Sequence, residues 1–124
     1  MNTFLSLGSL FGLLAVIIGA FGAHGLENIV SIHAFARYNT GVEYQFYHVM
    51  ALLVIGVLAA KHETTPRILQ IAGIAFIVGI LLFSGSLYLY AITEISTFGM
   101  ITPVGGLAFI IGWISLFIYT LKTS

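Results

Sequence analysis

The amino-acid sequence predicts an all-α polytopic membrane protein, a single domain over residues 1–124 that folds as a bundle of four transmembrane helices. Three observations predict this fold. Hydrophobic residues make up 60% of the 124 residues and charged residues only 6%, whereas soluble domains carry about 25% charged residues. The mean hydropathy is +1.12. Four long apolar stretches follow one another, and residues typical of helix starts precede them.

The four apolar stretches are long enough to cross a bilayer as helices. The hydrocarbon core of a bilayer requires about 20 apolar residues in one helix. Charged residues occur only near the beginning of two stretches, at Glu43 and Arg67. The predicted spans cover residues 3–23, 41–60, 66–91 and 103–121.

The first span is predicted to be a retained helix, although a cleaved signal peptide is the alternative. Small residues at Gly22 and Ala23 suit a signal peptidase. However, no Lys or Arg precedes the apolar run, and the run is longer than the core of a signal peptide.

Hydroxyl, amide and acidic residues are predicted to cap the helices. Threonine followed by proline, which occurs twice, places a side-chain acceptor before a residue suited to the first helical position. The sequence T-x-x-E is typical of a capping box. The predicted capping residues are Thr40 and Glu43 for the second helix, Thr65 for the third and Thr102 for the fourth. Asn2 or Thr3 is predicted to cap the first helix, and the alternative for Glu43 is an intramembrane carboxylate.

The connection between the first two spans, residues 24–39, is the longest one. It mixes apolar residues such as Leu26 and Ile29 with polar residues such as Glu27 and Arg37. This pattern fits a short helix that lies at the membrane interface. An irregular loop is the alternative.

Small residues are predicted to bring the helices close together. In lipid, helix association depends on close backbone approach and on hydrogen bonds between helices. The first helix carries a small-residue stripe at Gly8, Gly12, Ala15, Gly19 and Gly22. We expect this stripe to pack within the chain, with homo-oligomerisation as the alternative. Further predicted packing residues are Gly105, Gly106 and Trp113, whose indole N–H needs an acceptor inside the bundle.

Polar side chains are predicted to meet near one face of the membrane. Polar groups that face lipid lack partners, so these side chains are expected to face one another. The predicted cluster contains His24, Tyr44, Gln45, His48, Ser84, Ser86, Tyr88 and Thr102. Three roles compete: hydrogen bonds that stabilise the bundle, a cleft for a lipid or another amphipathic molecule with space made by Gly85, Gly105 and Gly106, and an ion or proton path.

Several other functions are disfavoured. The net charge of +0 argues against nucleic-acid binding, and the absence of cysteine excludes disulfides and cysteine-ligated metals. The spacing of the histidines matches no metal or haem motif. A serine at position 84 or 86 paired with His48 is a weak signal for a hydrolase. We therefore predict no catalytic residue, no metal and no cofactor.

The distribution of basic residues predicts the orientation. Lys61, Arg67 and Lys122 lie on the side that holds both termini, and Arg37 lies on the other side. Cytoplasmic loops carry an excess of Lys and Arg. We expect both termini in the cytoplasm and the chain in a bacterial-type plasma membrane, with the polar cluster in the outer leaflet.

Four sequence blocks resemble the domain of unknown function 423 family, which includes the transmembrane protein 256 of animals. The blocks are GAFGAHGL at 19–26, TGVEYQFYH at 40–48, LFSGSLY at 82–88 and ITPVGGLAFIIGW at 101–113. The resemblance implies a four-span membrane protein, and it supplies no catalytic residue.

Together these patterns favour a non-enzymatic membrane protein that organises the membrane or binds an amphipathic molecule. The alternative is a transporter or channel subunit that becomes competent through oligomerisation. Membrane lipids and a second copy of the chain are the expected partners.

Overall fold

The structure, a computed structural model, describes residues 2–123, which form α-helices joined by short turns. The helices are α1 (Thr3–His24), α2 (Ile32–Ala59), α3 (Arg67–Gly79), α4 (Gly85–Thr93) and α5 (Thr102–Thr123). A single wide π-helical turn, Ile80–Ser84, makes α3 and α4 one continuous rod, and two short 3₁₀ turns lie at Leu26–Asn28 and Ser96–Met100. Within the described part of the chain, four segments are long and apolar enough to cross a membrane. The protein is an all-α bundle of four transmembrane helices.

Sequential spans run antiparallel, so the bundle has two distinct ends. Asn2 hydrogen-bonds to the carbonyl of Gly56, and His62 contacts Tyr119. We call this the terminal end, because α1 begins there and α5 finishes there. The opposite loop end holds residues 25–31 and 94–101. At the loop end, Ser31 donates to Glu94 Oε1 (3.0 Å), which joins the two connections.

The small-residue stripe of α1 lies against α2. A Cβ added to Gly8 would meet the Leu53 side chain at 2.8 Å, and one added to Gly22 would meet the Tyr38 ring at 2.5 Å. Gly12 and Gly19 face Val49 and Val42 in the same way. The stripe therefore serves packing within the chain, while the rest of α1 is largely exposed to the surroundings of the bundle.

The apolar core lies between α2, α3 and α5. Leu52, Ile55, Leu69 and Phe76 have no accessible surface. Phe109 fits beside Gly79, where any side chain would overlap its ring. The interior of the terminal half is thus filled mainly by aliphatic and aromatic side chains, with Ser115 of α5 as a buried polar residue.

Helix α2 begins at Ile32, nine residues before the predicted start at residue 41. Ser31 is its N-cap and accepts a hydrogen bond from Ala34 N (3.1 Å). Thr40 lies inside the helix and donates to the Ala36 carbonyl (3.0 Å), and Glu43 is exposed one turn later. The predicted capping role of Thr40 and Glu43 is therefore wrong, because the preceding residues contain no Gly or Pro and continue the helix. Of the connection predicted at residues 24–39, residues 32–39 are the first part of the second span, and only residues 25–31 connect the two helices.

Two further predicted caps are also wrong. Helix α3 begins after Pro66 without a side-chain cap, and Thr65 contributes only its carbonyl, which accepts from Gln70 Nε2 (3.1 Å). Thr102 is the first residue of α5, and its hydroxyl contacts Ser86 Oγ (2.6 Å). A helical residue cannot act as the extended N-cap. At α1, Asn2 does cap the helix, since its side chain accepts from Leu5 N (3.2 Å).

The π-helical turn explains the position of one predicted packing glycine. A π-helical turn inserts one residue and widens the helix. A Cβ at Gly105 would overlap the backbone nitrogen of Phe83, which lies in this turn. Gly106, by contrast, has its nearest neighbour, the Phe83 ring, at 3.8 Å. Gly105 is required for the contact between α5 and the wide turn, whereas Gly106 has space for a methyl group.

We expect Gly105→Ala to lower stability by about 1–3 kcal/mol, the usual cost of overpacking, because the Phe83 backbone cannot yield as a side chain does. Gly106→Ala is the matched control, since both changes raise helix propensity equally. Thermal unfolding in detergent gives the comparison. Equal melting temperatures for the two variants would contradict the contact.

Candidate functional site

The structure brings most of the predicted polar residues together in the loop-end half, and it divides them into separate hydrogen-bonded groups. His24 is exposed at the last turn of α1 and takes part in none of these bonds. Tyr44 takes part through its backbone carbonyl and its ring, and its side chain is 38% exposed. The groups are centred on Gln45, on the two serines and on His48.

Gln45 links three helices through its amide. Its Nε2 donates to the Phe11 carbonyl of α1 (2.8 Å), and its Oε1 accepts from the Tyr88 hydroxyl of α4 (2.5 Å). Gln45 is only 3% exposed. Because both ends of the amide are occupied, this side chain fixes the relative positions of α1, α2 and α4.

The two serines hold the wide turn in place. Ser84 donates to the Gly41 carbonyl of α2 (2.7 Å). Ser86 donates to the Phe83 carbonyl (2.9 Å) and contacts the Thr102 hydroxyl of α5 (2.6 Å). A short hydroxyl contact therefore joins each neighbouring helix to the segment around the π-helical turn.

His48 is held as a neutral imidazole by two partners. Its Nδ1 lies 2.7 Å from the Tyr44 carbonyl oxygen, and its Nε2 lies 3.0 Å from the Trp113 indole nitrogen. A carbonyl only accepts and an indole N–H only donates. The proton must therefore reside on Nδ1, and Nε2 accepts from Trp113. Trp113 thus satisfies its N–H inside the bundle although its side chain is 47% exposed.

Aromatic rings enclose His48 at mid-bundle. The Phe109 ring stacks on the imidazole with a centroid distance of 3.5 Å and an interplanar angle of 7°. Phe76 lies 5.5 Å away, and Tyr44 extends the group to Phe83 at 4.7 Å. Sequence reasoning missed the phenylalanines, because a phenylalanine in an apolar helix carries no signal of its partner.

Tyr38 is a further polar contact that the sequence analysis missed. Its hydroxyl donates to the Ile18 carbonyl of α1 (2.5 Å), and its ring lies 5.3 Å from that of Tyr88. Tyr38 precedes Gln45 by seven residues and therefore shares its helix face. The spacing would have identified it if the second span had been extended to residue 32.

The polar atoms of these groups are paired within the protein, and the space beside them is an apolar groove of about 330 Å³ lined by Ile17, Ile18, Phe21, Tyr38, Tyr88 and Ile92. Within residues 2–123, every buried side-chain nitrogen or oxygen has a hydrogen-bond partner. Of the three glycines predicted to clear space, Gly105 is filled by the Phe83 backbone, whereas a Cβ added at Gly85 would meet nothing within 4 Å and one added at Gly106 would have the Phe83 ring at 3.8 Å. The hydrogen bonds of the cluster join neighbouring helices of the bundle.

The same hydrogen bonds exclude Ser84 or Ser86 as a nucleophile that His48 activates. Ser84 and Ser86 donate to backbone carbonyls, and both ring nitrogens of His48 are occupied. In the described part of the chain, no three His, Cys, Asp or Glu side chains lie close enough together to hold a metal ion.

The larger cavities lie at the terminal end, which the sequence analysis did not single out. The terminal cleft, between α1, the end of α2 and α3, has a volume of about 600 Å³. It is lined by Asn2, Thr3, Phe4, Ala59, Ala60, Thr65, Gln70, Ile74 and Ile77. A second groove of about 450 Å³ lies on the other side of the α2 terminus, beside α5. Residues distant in sequence form both, so no local motif marks them.

Comparison with known proteins identifies relatives over the whole chain. Residues 18–106 match the protein-family model described as "Protein of unknown function (DUF423)". A UPF0382 membrane protein of Staphylococcus aureus (strain bovine RF122 / ET3-1) is 47% identical, and the alignment covers 98% of each chain. The UPF0382 membrane protein YwdK of Bacillus subtilis is 45% identical with the same coverage. A UPF0382 membrane protein of Haemophilus influenzae is 42% identical over 93% of this chain and 90% of its own. No solved structure matches.

We expect Trp113→Phe to lower stability by about 1 kcal/mol, because the buried Nε2 of His48 loses its donor. His48→Ala should cost more, since Phe109 also loses its stacking partner. The melting temperature in detergent measures both effects, and His24→Ala serves as the exposed control. If Trp113→Phe had the same melting temperature as the wild type, the hydrogen bond between the indole and the imidazole would not contribute to stability.

Proposed function

This chain belongs to the DUF423 family, and we propose that it is a non-enzymatic membrane protein that holds an amphipathic molecule, such as a membrane lipid, in the terminal cleft. The observation that carries this proposal is the composition of the cleft, which combines an apolar wall with hydrogen-bonding groups at the end of the helices. Its volume of about 600 Å³ falls within the range of about 300–1,000 Å³ typical of small-molecule sites.

The lining of the cleft suits an amphipathic occupant. Phe4, Ile74 and Ile77 supply the apolar wall, and Ile74 is 56% exposed, so a chain can enter sideways from the bilayer. The hydroxyl groups of Thr3 and Thr65 belong to residues that line the cleft, and a hydroxyl can both donate to and accept from a polar group. A lipid that lies in this cleft would place its chain against the isoleucines and its polar part at the membrane surface.

The loop-end cluster supports this function indirectly. Its amide, hydroxyl and imidazole groups are used within the bundle, as the Gln45 and His48 bonds illustrate. They hold α1 and α3/α4 against α2 at one end. At the other end, the cleft is formed by α1, the end of α2 and α3, with the Phe4 ring of α1 packed on Gly73 of α3.

Transport through a single bundle has less support. Between His48 and the terminal end, the interior residues Leu52, Ile55 and Leu69 are apolar and have no accessible surface. An ion needs polar groups or water along its whole path. A transport role would therefore require a pore between several copies of the chain.

We also propose that both termini face the cytoplasm of a cell whose plasma membrane holds the protein. The terminal end carries Lys61, Arg67 and Lys122. The loop end carries one basic residue, Arg37, together with three of the four glutamates. This charge distribution supports the orientation through the positive-inside rule.

The orientation is testable because the chain contains no cysteine. Thr97→Cys at the loop end should react with a membrane-impermeant maleimide in intact cells, since it is exposed. Thr64→Cys, exposed at the terminal end, should react only after lysis. The reverse labelling pattern would overturn the proposed orientation.

Native mass spectrometry from mild detergent tests the cleft. We expect the wild type to retain a lipid-sized mass, and Ile74→Trp to lose most of it because the indole fills the cleft. Ile110→Trp is the matched control, as Ile110 is similarly exposed, at 55%, on α5 away from the cleft. A wild type without bound lipid, or equal retention by the two variants, would contradict the proposal. The same spectra give the number of copies.

A further inference from the structure

The groove beside α5 differs from the terminal cleft in its chemistry. It is lined by Leu58, Lys61, His62, Tyr119, Thr120 and Thr123 and has a volume of about 450 Å³. A lysine, a histidine and a tyrosine hydroxyl therefore surround a space at the level where α2 and α5 end. We call it the His62 groove and propose that it binds the phosphate group of an anionic molecule.

The charges at this end of the bundle favour an anion. Lys61 lines the groove, and Arg67 and Lys122 lie at the same end, whereas Glu63 is the only carboxylate side chain there. Lys61 is exposed and forms no ion pair with a carboxylate in residues 2–123. A lysine ammonium binds phosphate as a point charge with three donors. Among the described residues, the groove thus offers a cation that no carboxylate pairs with.

His62 and Tyr119 guarantee a second donor. His62 Nε2 and the Tyr119 hydroxyl lie 2.8 Å apart. If the hydroxyl donates to Nε2, the proton of the imidazole is on Nδ1 and remains available. If Nε2 carries the proton and donates, the hydroxyl proton remains available instead. In either tautomer the pair keeps one N–H or O–H group for a ligand.

The helix ends beside the groove repel an anion less than they would if all their carbonyls were unpaired. The carboxyl end of a helix carries a partial negative charge on its unpaired carbonyls. Here two of these carbonyls at the end of α2 already accept hydrogen bonds. Leu58 O and Ala59 O accept from the backbone N–H groups of Lys61 and His62.

The position of the groove suits a phospholipid headgroup, and dissolved phosphate has the same chemistry. Headgroups lie where the transmembrane helices end, and Lys and Arg near a membrane surface attract anionic lipids. Leu58 offers an apolar contact below the donors. The inference is independent of the terminal cleft, because the two sites share no lining residue.

The test measures the melting temperature of the detergent-purified protein with added short-chain phosphatidylglycerol, inorganic phosphate or sodium chloride at equal ionic strength. A ligand that binds the folded state raises the melting temperature. We expect a rise with phosphatidylglycerol, or with phosphate if the free anion is the ligand, and none with chloride. Lys61→Gln should reduce the rise, because it removes the cation that lines the groove.

Lys122→Gln is the matched control, because it removes the same charge from the same end without altering the groove. Circular dichroism confirms that each variant is helical before ligand is added. The proposal is overturned if neither phosphate compound raises the melting temperature above the chloride value. It is also overturned if Lys61→Gln and Lys122→Gln reduce the rise equally, since that result indicates general charge attraction. The cleft variant Ile74→Trp should retain the full rise, which separates this site from the proposed function.

Discussion

The constraint on which this structure depends is that a polar side chain inside a lipid-embedded bundle must find its partner within the protein. Gln45 bonds to a carbonyl of α1 and a hydroxyl of α4, and His48 bonds to its own helix and to α5. Helix α2 therefore connects to every other span through side-chain hydrogen bonds. Since lipid provides little hydrophobic driving force between helices, these bonds and the glycine contacts define how the bundle is assembled.

The constraint also divides the molecule into two halves. In the loop-end half, the buried polar groups form hydrogen bonds within the protein, and Gly105 allows α5 to contact the wide turn. In the terminal half, the interior is apolar around Leu52 and Ile55, and two open spaces lie at its margin, on either side of the end of α2. We infer that one half provides rigidity and that the other meets ligands, with the basic residues beside it.

Much of the fold could be predicted from the sequence, because hydropathy over about 20 residues is a physical requirement of a bilayer. The grouping of Gln45, Ser84 and Tyr88 in one half followed from the order of the spans. The start of α2 could not be predicted as reliably. Thr40 and Glu43 match the sequence of a capping box, but both residues lie inside the helix. The π-helical turn, the terminal cleft and the His62 groove arise from contacts between residues distant in sequence, such as Phe83 with Gly105. No local sequence pattern predicts them.

The most direct test of the account is nitrogen-15 solid-state NMR of His48 in lipid bilayers, with the Trp113 indole labelled as well. The account predicts a single neutral imidazole that is protonated at Nδ1, unprotonated at Nε2 and correlated through space with the indole N–H. A proton on Nε2, or imidazole nitrogens that exchange rapidly with water, would contradict a bundle whose polar interior is paired within itself.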